Sequence, residues 1–179
     1  MRLKNFYSPN EEKGIRNYNL NLPREVVDNS KAGSHFREYD LFCWNGVSFA
    51  PYNCFELTHI TDRALFKSEI DMLIACEDNK DTGYFASIID SLALDLHCYC
   101  VQVNASQHGD SKIAQPKSSN ERTILSIKGG DNVFLIVGDV NVKELREFQV
   151  CATSSSKFKP LPPGFDYQSV RTRMGLAKD

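Results

Sequence analysis

The stretch whose reading decides the fold is Met72–Val103, MLIACEDNKDTGYFASIIDSLALDLHCYCVQV. A short apolar run, Met72 to Cys76, stops at two carboxylates, Glu77 and Asp78. A polar loop follows, in which Asp81 or Thr82 supplies a helix cap. Phe85, Ile88, Ile89, Leu92 and Leu96 then recur at i, i+3, i+4, i+7 and i+11, the spacing of one helical face. His97 to Val103 is a second apolar run of strand length. Strand, acidic loop, helix and strand is the unit of a parallel α/β sheet. Ligand sites in such sheets lie just beyond the carboxyl ends of the strands, where Glu77 and Asp78 fall.

Working outward toward the N-terminus, REYDLFCW and VSFAPYNCFELTHI flank Asn45-Gly46, a strong signal for a tight hairpin turn. Pro51 bends the second arm or places it at an edge. Thr61-Asp62 caps a short helix before the strand that starts between Glu69 and Met72. Toward the C-terminus, residues 104–120 read as a long polar loop. Gly129-Gly130-Asp131 turns the chain into NVFLIVGDVN, read as a buried strand ending at Asp139, and Val142 to Phe148 reads as a short helix. The expected fold is α/β: a mixed, largely parallel sheet with flanking helices, preceded by a β-hairpin over residues 37–60. The expected organisation is an N-terminal arm over 1–35, a single α/β domain over 36–152, and an extended C-terminal tail over 153–179.

The 179 residues suit one domain and bury enough surface to fold without a staple. With 21 basic and 23 acidic residues the formal charge is −2, which does not mark a dedicated nucleic-acid or membrane binder. No apolar run approaches the ~20 residues that span a bilayer. The first residues, MRLKNFYSPNEEKG, lack the apolar centre of a signal peptide, so a cytoplasmic protein is expected. The six cysteines are read as reduced, with Cys54, Cys76, Cys98 and Cys100 acting as small apolar residues in or beside β-like runs. Cys98-x-Cys100 has no second pair to complete a zinc site, and His35, His59, His97 and His108 form no ligand spacing.

Two apolar runs therefore end in acid, at Glu77-Asp78 and at Asp139. Were both parallel and adjacent, their carboxylates would converge into the oxygen-ligand set that Mg²⁺ prefers. Strand-end acids that merely cap helices or form turns are the plainer alternative.

CEDNKDTGYF followed by a helix resembles the opening of the TOPRIM domain in the RloB-like family, over roughly residues 70–142. Glu77 matches that family's glutamate, Tyr84-Phe85 its aromatic pair, and Asp139-Val140-Asn141 its Asp-x-Asp, with Asn141 in place of the second aspartate. The resemblance implies Glu77 as the catalytic residue and Glu77, Asp139 and Asn141 as the ligands of Mg²⁺. It implies a Mg²⁺-dependent nuclease, or a degenerate subunit, within a bacterial defence complex that acts on nucleic acid. Two alternatives stand beside it. One is a non-catalytic accessory subunit that binds protein partners through its N-terminal arm and C-terminal tail. The other is similar to PD-(D/E)XK endonucleases and uses Asp40 and Glu56, with Thr58 at the lysine position and Lys67 as the substitute cation.

Overall fold

The computed structural model describes residues 4–20, 38–151 and 157–176. Residues 1–3, 21–37, 152–156 and 177–179, which take in parts of the expected arm (1–35) and tail (153–179), lie outside the described residues, His35 among them.

Six strands form one open sheet in the order β1 to β6. β1 (Phe42–Trp44) and β2 (Val47–Asn53) make the expected hairpin, with both turn residues at positive φ (Asn45 50°, Gly46 78°). That conformation suits a two-residue turn matched to strand twist, and Asn-Gly tolerates it. β2 pairs parallel with β3 (Met72–Glu77), and β3 pairs parallel with β4 (Tyr99–Asn104). Both of those connections carry helix. A 3₁₀ turn (Cys54–Thr58) and α2 (Ile60–Arg63) link β2 to β3, and α3 (Thr82–Asp95) links β3 to β4. Crossovers are what parallel pairing needs.

The rest of the sheet corrects the largely parallel expectation. β5 (Ser111–Ala114) and β6 (Thr123–Ile127) add antiparallel after short loops. β5 occupies part of the expected 104–120 loop. Its four residues alternate in burial, and Lys112 hid the pattern by burying its stem while its ammonium reaches Asp90 Oδ1 (2.8 Å) and the Ala86 carbonyl (3.2 Å). The hairpin belongs to the sheet itself, and its second arm ends at Asn53 rather than running to Ile60. Pro51 lies beyond the end of β1, where no antiparallel neighbour requires an N–H.

The two sheet faces are covered differently. α3 buries Phe85, Ile88, Ile89, Leu92 and Ala93 against Ala50, Tyr52, Leu73, Ala75, Cys100 and Ala114, the main core. On the other face, α4 (Val142–Cys151) sets Leu145 against Tyr99, and Phe158 joins them. Fully buried His97 ties this layer together. Its ring stacks on Phe148 at 5.6 Å, its Nε2 lies 2.8 Å from the Lys159 carbonyl, and Gln149 donates to its carbonyl at 2.7 Å. Residues 157–176 therefore fold back onto the sheet, and α5 (Tyr167–Arg173) buries Val170.

At the amino end of β3, Asp71 is wholly buried and draws three elements together. It accepts from the Ser48 N–H (2.8 Å) and Arg146 Nε (2.8 Å), and it lies 3.6 Å from Arg173 Nη2. The N-terminal arm also packs. Asn5 and Phe6 are buried, and α1 (Pro9–Asn17) opens on a Ser8–Glu11 capping box with proline at its first position. Among the described residues, no helix is long and apolar enough to cross a membrane.

One expected strand is missing. NVFLIVGDVN has no regular structure, and Val133 to Val137 are 47–94% exposed. β6 is the last strand, and this apolar run does not pair with its open edge but lines a cavity over the sheet face with Val101, Ile113, Leu125 and Ile127.

Candidate active site

The absence of that strand decides the fate of the expected metal pair. Glu77 closes β3 on the face packed by α3, opposite Asn104 of β4. Asn141 instead caps α4 through Oδ1 to the Glu144 N–H (3.0 Å), and its backbone bonds the Tyr99 hydroxyl on the other face. Tyr99 pairs with Met72 and Asn104 with Glu77, so five residues of strand, about 17 Å at ~3.3 Å each, also separate the two ends. Asp139 is exposed just before Asn141. Glu77, Asp139 and Asn141 therefore do not fit one Mg²⁺. Among the described residues, no group of three His, Cys, Asp or Glu side chains could hold a metal ion.

The Asp40–Glu56 pair is also not a metal site. Glu56 is fully buried, and its two oxygens accept the backbone N–H groups of Asn5 (2.6 Å) and Asn53 (2.7 Å). It ties the arm to the end of β2. Thr58 Oγ1 bonds the Phe55 carbonyl, and Lys67 reaches out to the Pro163 carbonyl.

What gathers at the carboxyl ends of the parallel strands is a different set, centred on Cys54. This residue follows β2 directly and begins the 3₁₀ turn, with φ at +44°. A non-glycine residue in the left-handed region carries strain that the surrounding structure must hold in place. A sharp strand-to-helix turn of this kind lifts a side chain to the top of a sheet, the geometry of a nucleophile elbow. Asn53 pairs with Cys76, so Cys54 and Glu77 leave adjacent strands side by side, with the strands ~4.8 Å apart.

The half-buried Cys54 thiol is pushed above its usual range chiefly by burial. The Asp78 N–H, which donates to the sulfur, and the Lys4 ammonium act the other way, while the Glu77 and Glu11 carboxylates reinforce burial. Asn104 sets the position of that N–H. Its Oδ1 accepts from the Asn79 N–H (2.9 Å), and its Nδ2 donates to the Asn79 carbonyl (2.8 Å). Lys4 and Glu11 arrive together from the arm, 2.5 Å apart. Although burial opposes it, hydrogen bonds from Lys4 and Ser8 keep Glu11 below the ordinary carboxylate range. Glu77 is 8% exposed. Its Oε2 accepts from Gln102 Nε2 (2.9 Å), and its Oε1 is buried with no hydrogen-bond partner. Burial holds its carboxyl above the usual range despite Gln102, Asn79 and Lys112.

Of these residues, the sequence singles out Glu77 alone, and there as a magnesium ligand. Cys54 reads like any small apolar residue in a β-rich stretch, and only its place at the strand-to-helix junction distinguishes it. Lys4 and Glu11 lie in a polar arm, where the one legible sign is the Ser8-Pro9-x-Glu11 capping box.

No family model and no curated protein match the chain. Among solved structures it is similar to a CN-hydrolase superfamily protein from Xanthomonas campestris with an arsenic adduct in its active site. That match has 15% identity and a TM-score of 0.49, over 65% of this chain and 48% of that one. It is also similar to a mutant of the amidase from Nesterenkonia sp. AN1 that carries the product of acrylamide addition at its active-site cysteine. Here identity is 14% and the TM-score 0.48, over 79% and 51% of the two chains. A further amidase structure from Nesterenkonia sp. matches at 13% identity and a TM-score of 0.46, over 71% and 46%. The chain spans about half the length of these structures. They are CN-hydrolase and nitrilase proteins rather than TOPRIM domains. Glu77 and Asn141, on opposite faces of the sheet, do not form the converging ligand pair that the TOPRIM resemblance implies, and that geometry corrects it. The magnesium-dependent nuclease and its degenerate TOPRIM-like form fall with it, and buried Glu56, held by two backbone N–H groups, removes the PD-(D/E)XK alternative.

Proposed function

We propose that Cys54 is the nucleophile of an acyl-transfer site that acts on carbon–nitrogen bonds of the amide class. One observation carries the reading: a strained cysteine at a strand-to-helix elbow sits at the end of the strand beside Glu77, a buried carboxylate with an unpaired oxygen, with the Asp78 N–H on its sulfur and within the field of the Lys4 ammonium. Those are the parts that covalent catalysis by a thiol requires.

The roles follow from the protonation states. A thiol held above its usual range is protonated at neutral pH and needs a base. Glu77 is that base: its free Oε1 takes the thiol proton as sulfur bonds to the carbonyl carbon. Negative charge then grows on the carbonyl oxygen, and the Lys4 ammonium, oriented by Glu11, stabilises it. When the carbon–nitrogen bond breaks, the leaving nitrogen takes the proton from Glu77. Water, deprotonated by the same carboxylate, then releases the acid from the thioester.

The test is mass spectrometry of the full chain after incubation with short primary amides, with ammonia release measured in parallel. Wild type is expected to carry an acyl increment on the Cys54 peptide and to release ammonia. Cys54→Ala is expected to do neither, and Glu77→Gln to slow acylation by about 10²–10⁴-fold. Ammonia release that persists in Cys54→Ala, or no increment and no release in wild type, would overturn the assignment.

A further inference from the structure

The sheet face opposite Glu77 holds a cavity of about 220 Å³. Side chains alternate across a strand, so Val101 and Val103 of β4 point away from Cys100 and Gln102 and form its floor. Ile113 of β5 and Leu125 and Ile127 of β6 continue that floor. Phe134, Leu135 and Ile136 form the roof, which is fixed at both ends. Before it, the Gly130 N–H donates to the Ser106 carbonyl at 2.8 Å, and a Cβ on Gly129 would meet the same oxygen at 2.4 Å. After it, Gly138 rests on Leu125 and Ile113, where a Cβ would come within 2.4 and 3.1 Å of their side chains. Between these two close approaches the chain stands off the sheet, and the space remains beneath it. Phe134 and Ile136 are 50% and 47% exposed, and Val103 in the floor is 51% exposed.

We propose that this cavity binds a small neutral molecule with a hydrocarbon body, a single ring bearing a short alkyl arm. The site is independent of the Cys54 chemistry. Its lining sets the ligand class. Among the described residues of the lining, Lys112 alone is charged, and its ammonium is held under α3 by Asp90 and the Ala86 carbonyl. Gln102 turns its amide to Glu77, and the Asn104 side chain is bonded to Asn79 and Gly109. The Ser111 hydroxyl accepts from the Asn104 N–H at 2.9 Å. Ser106 is left as the one polar side chain at the loop end. A charged ligand would lose its water here without replacement, and a peptide would bring backbone groups that the lining cannot pair. Size sets the limit. An apolar cavity of ~150 Å³ takes up benzene, so one ring and a few methylenes fill this one. Filling it supplies the contacts that the void denies to the floor and the roof.

Thermal unfolding of the full chain with n-propylbenzene, 3-phenylpropionate or 3-phenylpropylamine tests the proposal. n-Propylbenzene is expected to raise the melting temperature saturably, because a ligand of the folded state stabilises it. The two charged analogues are expected to bind more weakly by about ten-fold or more. Ile113→Phe fills the space above the floor and is expected to weaken n-propylbenzene binding by a similar factor. Ile136→Lys, on the half-exposed roof, leaves the sheet untouched and is expected to weaken it several-fold. Trp44→Lys, on the exposed hairpin, is expected to leave the affinity unchanged, which separates the cavity from other apolar surface. No saturable rise, an equal response to the three probes, or an affinity unaltered by both Ile113→Phe and Ile136→Lys would overturn the site. So would a melting temperature that climbs with protein concentration and ignores the probe, since a second copy would then cover this face.

Discussion

Residues 72–78 and 133–139, MLIACED and VFLIVGD, are nearly interchangeable on paper: an apolar run closing on an acid. In the molecule the first is a central strand with Leu73 and Ala75 fully buried. The second is irregular, with Leu135 91% exposed. β-propensity is common to both, so propensity does not separate them. Access to partners does. β3 lies between two parallel neighbours, held in register by Asp71 at one end and by the α3 crossover at the other. The second run emerges from Gly129-Gly130 beyond β6, the last strand. It lies along one face of the sheet without pairing: Phe134, Leu135 and Ile136 line a cavity with Val101, Ile113, Leu125 and Ile127, and at Gly138 a Cβ would meet Leu125 Cδ2 at 2.4 Å. An acid at the end of such a run marks a site only if the run is in a sheet.

The anchor of β3 is where the comparison breaks most forcefully. Asp71→Ala would leave Arg146 and Arg173 charged and half-sheltered without their carboxylate, and the Ser48 N–H without its acceptor. Removing one partner of a buried pair costs about 3–5 kcal/mol. Urea unfolding should show a loss of that size. A loss below about 1 kcal/mol would mean that register is set elsewhere. Leu73→Ala, in the strand itself, is expected to cost about 2–5 kcal/mol by the same measurement, because a fully buried side chain leaves a cavity between β3 and α3.

These same elements explain what the sequence disclosed. The Asn45-Gly46 turn, the β3–α3–β4 unit and the buried face of α3 follow from local signals, turn chemistry and period, which need no tertiary context. Glu77 was legible because strand, acid and helix cap are contiguous. Cys54 was not, because its distinguishing feature is a backbone angle at a junction read as uninterrupted strand. Lys4 and Glu11 were not, because they approach Cys54 across more than 40 residues of chain. The antiparallel half was hidden by the brevity of β5 and by a buried lysine within it. The 133–139 run was misplaced for the reason already given: pairing is non-local.

Where the α4 face of the sheet is covered, His97 gives a graded probe. Burial holds its imidazole below the ordinary value of 6.5, although hydrogen bonds to the Lys159 carbonyl and to its own carbonyl act in the opposite sense. The unfolded chain then binds a proton that the folded one refuses. The stability from neutral His97 is complete above pH ~6.5 and falls as pH drops from there toward the folded value. Thermal melts from pH 7.5 to 5 should show this loss. His97→Gln, which keeps a polar side chain but cannot be protonated, should flatten the slope while lowering stability overall. An unchanged slope in that variant would assign the acid sensitivity to another group.

The smallest expected effect is the sharpest check on the comparison. Leu135→Ala and Asp139→Ala alter the run that mimics β3. Leu135 is 91% exposed, and Asp139 has no strand-end role. Both substitutions should therefore change unfolding stability by no more than about 0.5 kcal/mol, the range of surface positions. Neither should alter acylation of Cys54. Because an exposed apolar run of this length invites association, Leu135→Lys should raise the concentration at which the protein stays dispersed, measured by light scattering. A loss of several kcal/mol in Leu135→Ala would show that the run is buried after all, and residues 72–78 and 133–139 would again be two strands of one kind.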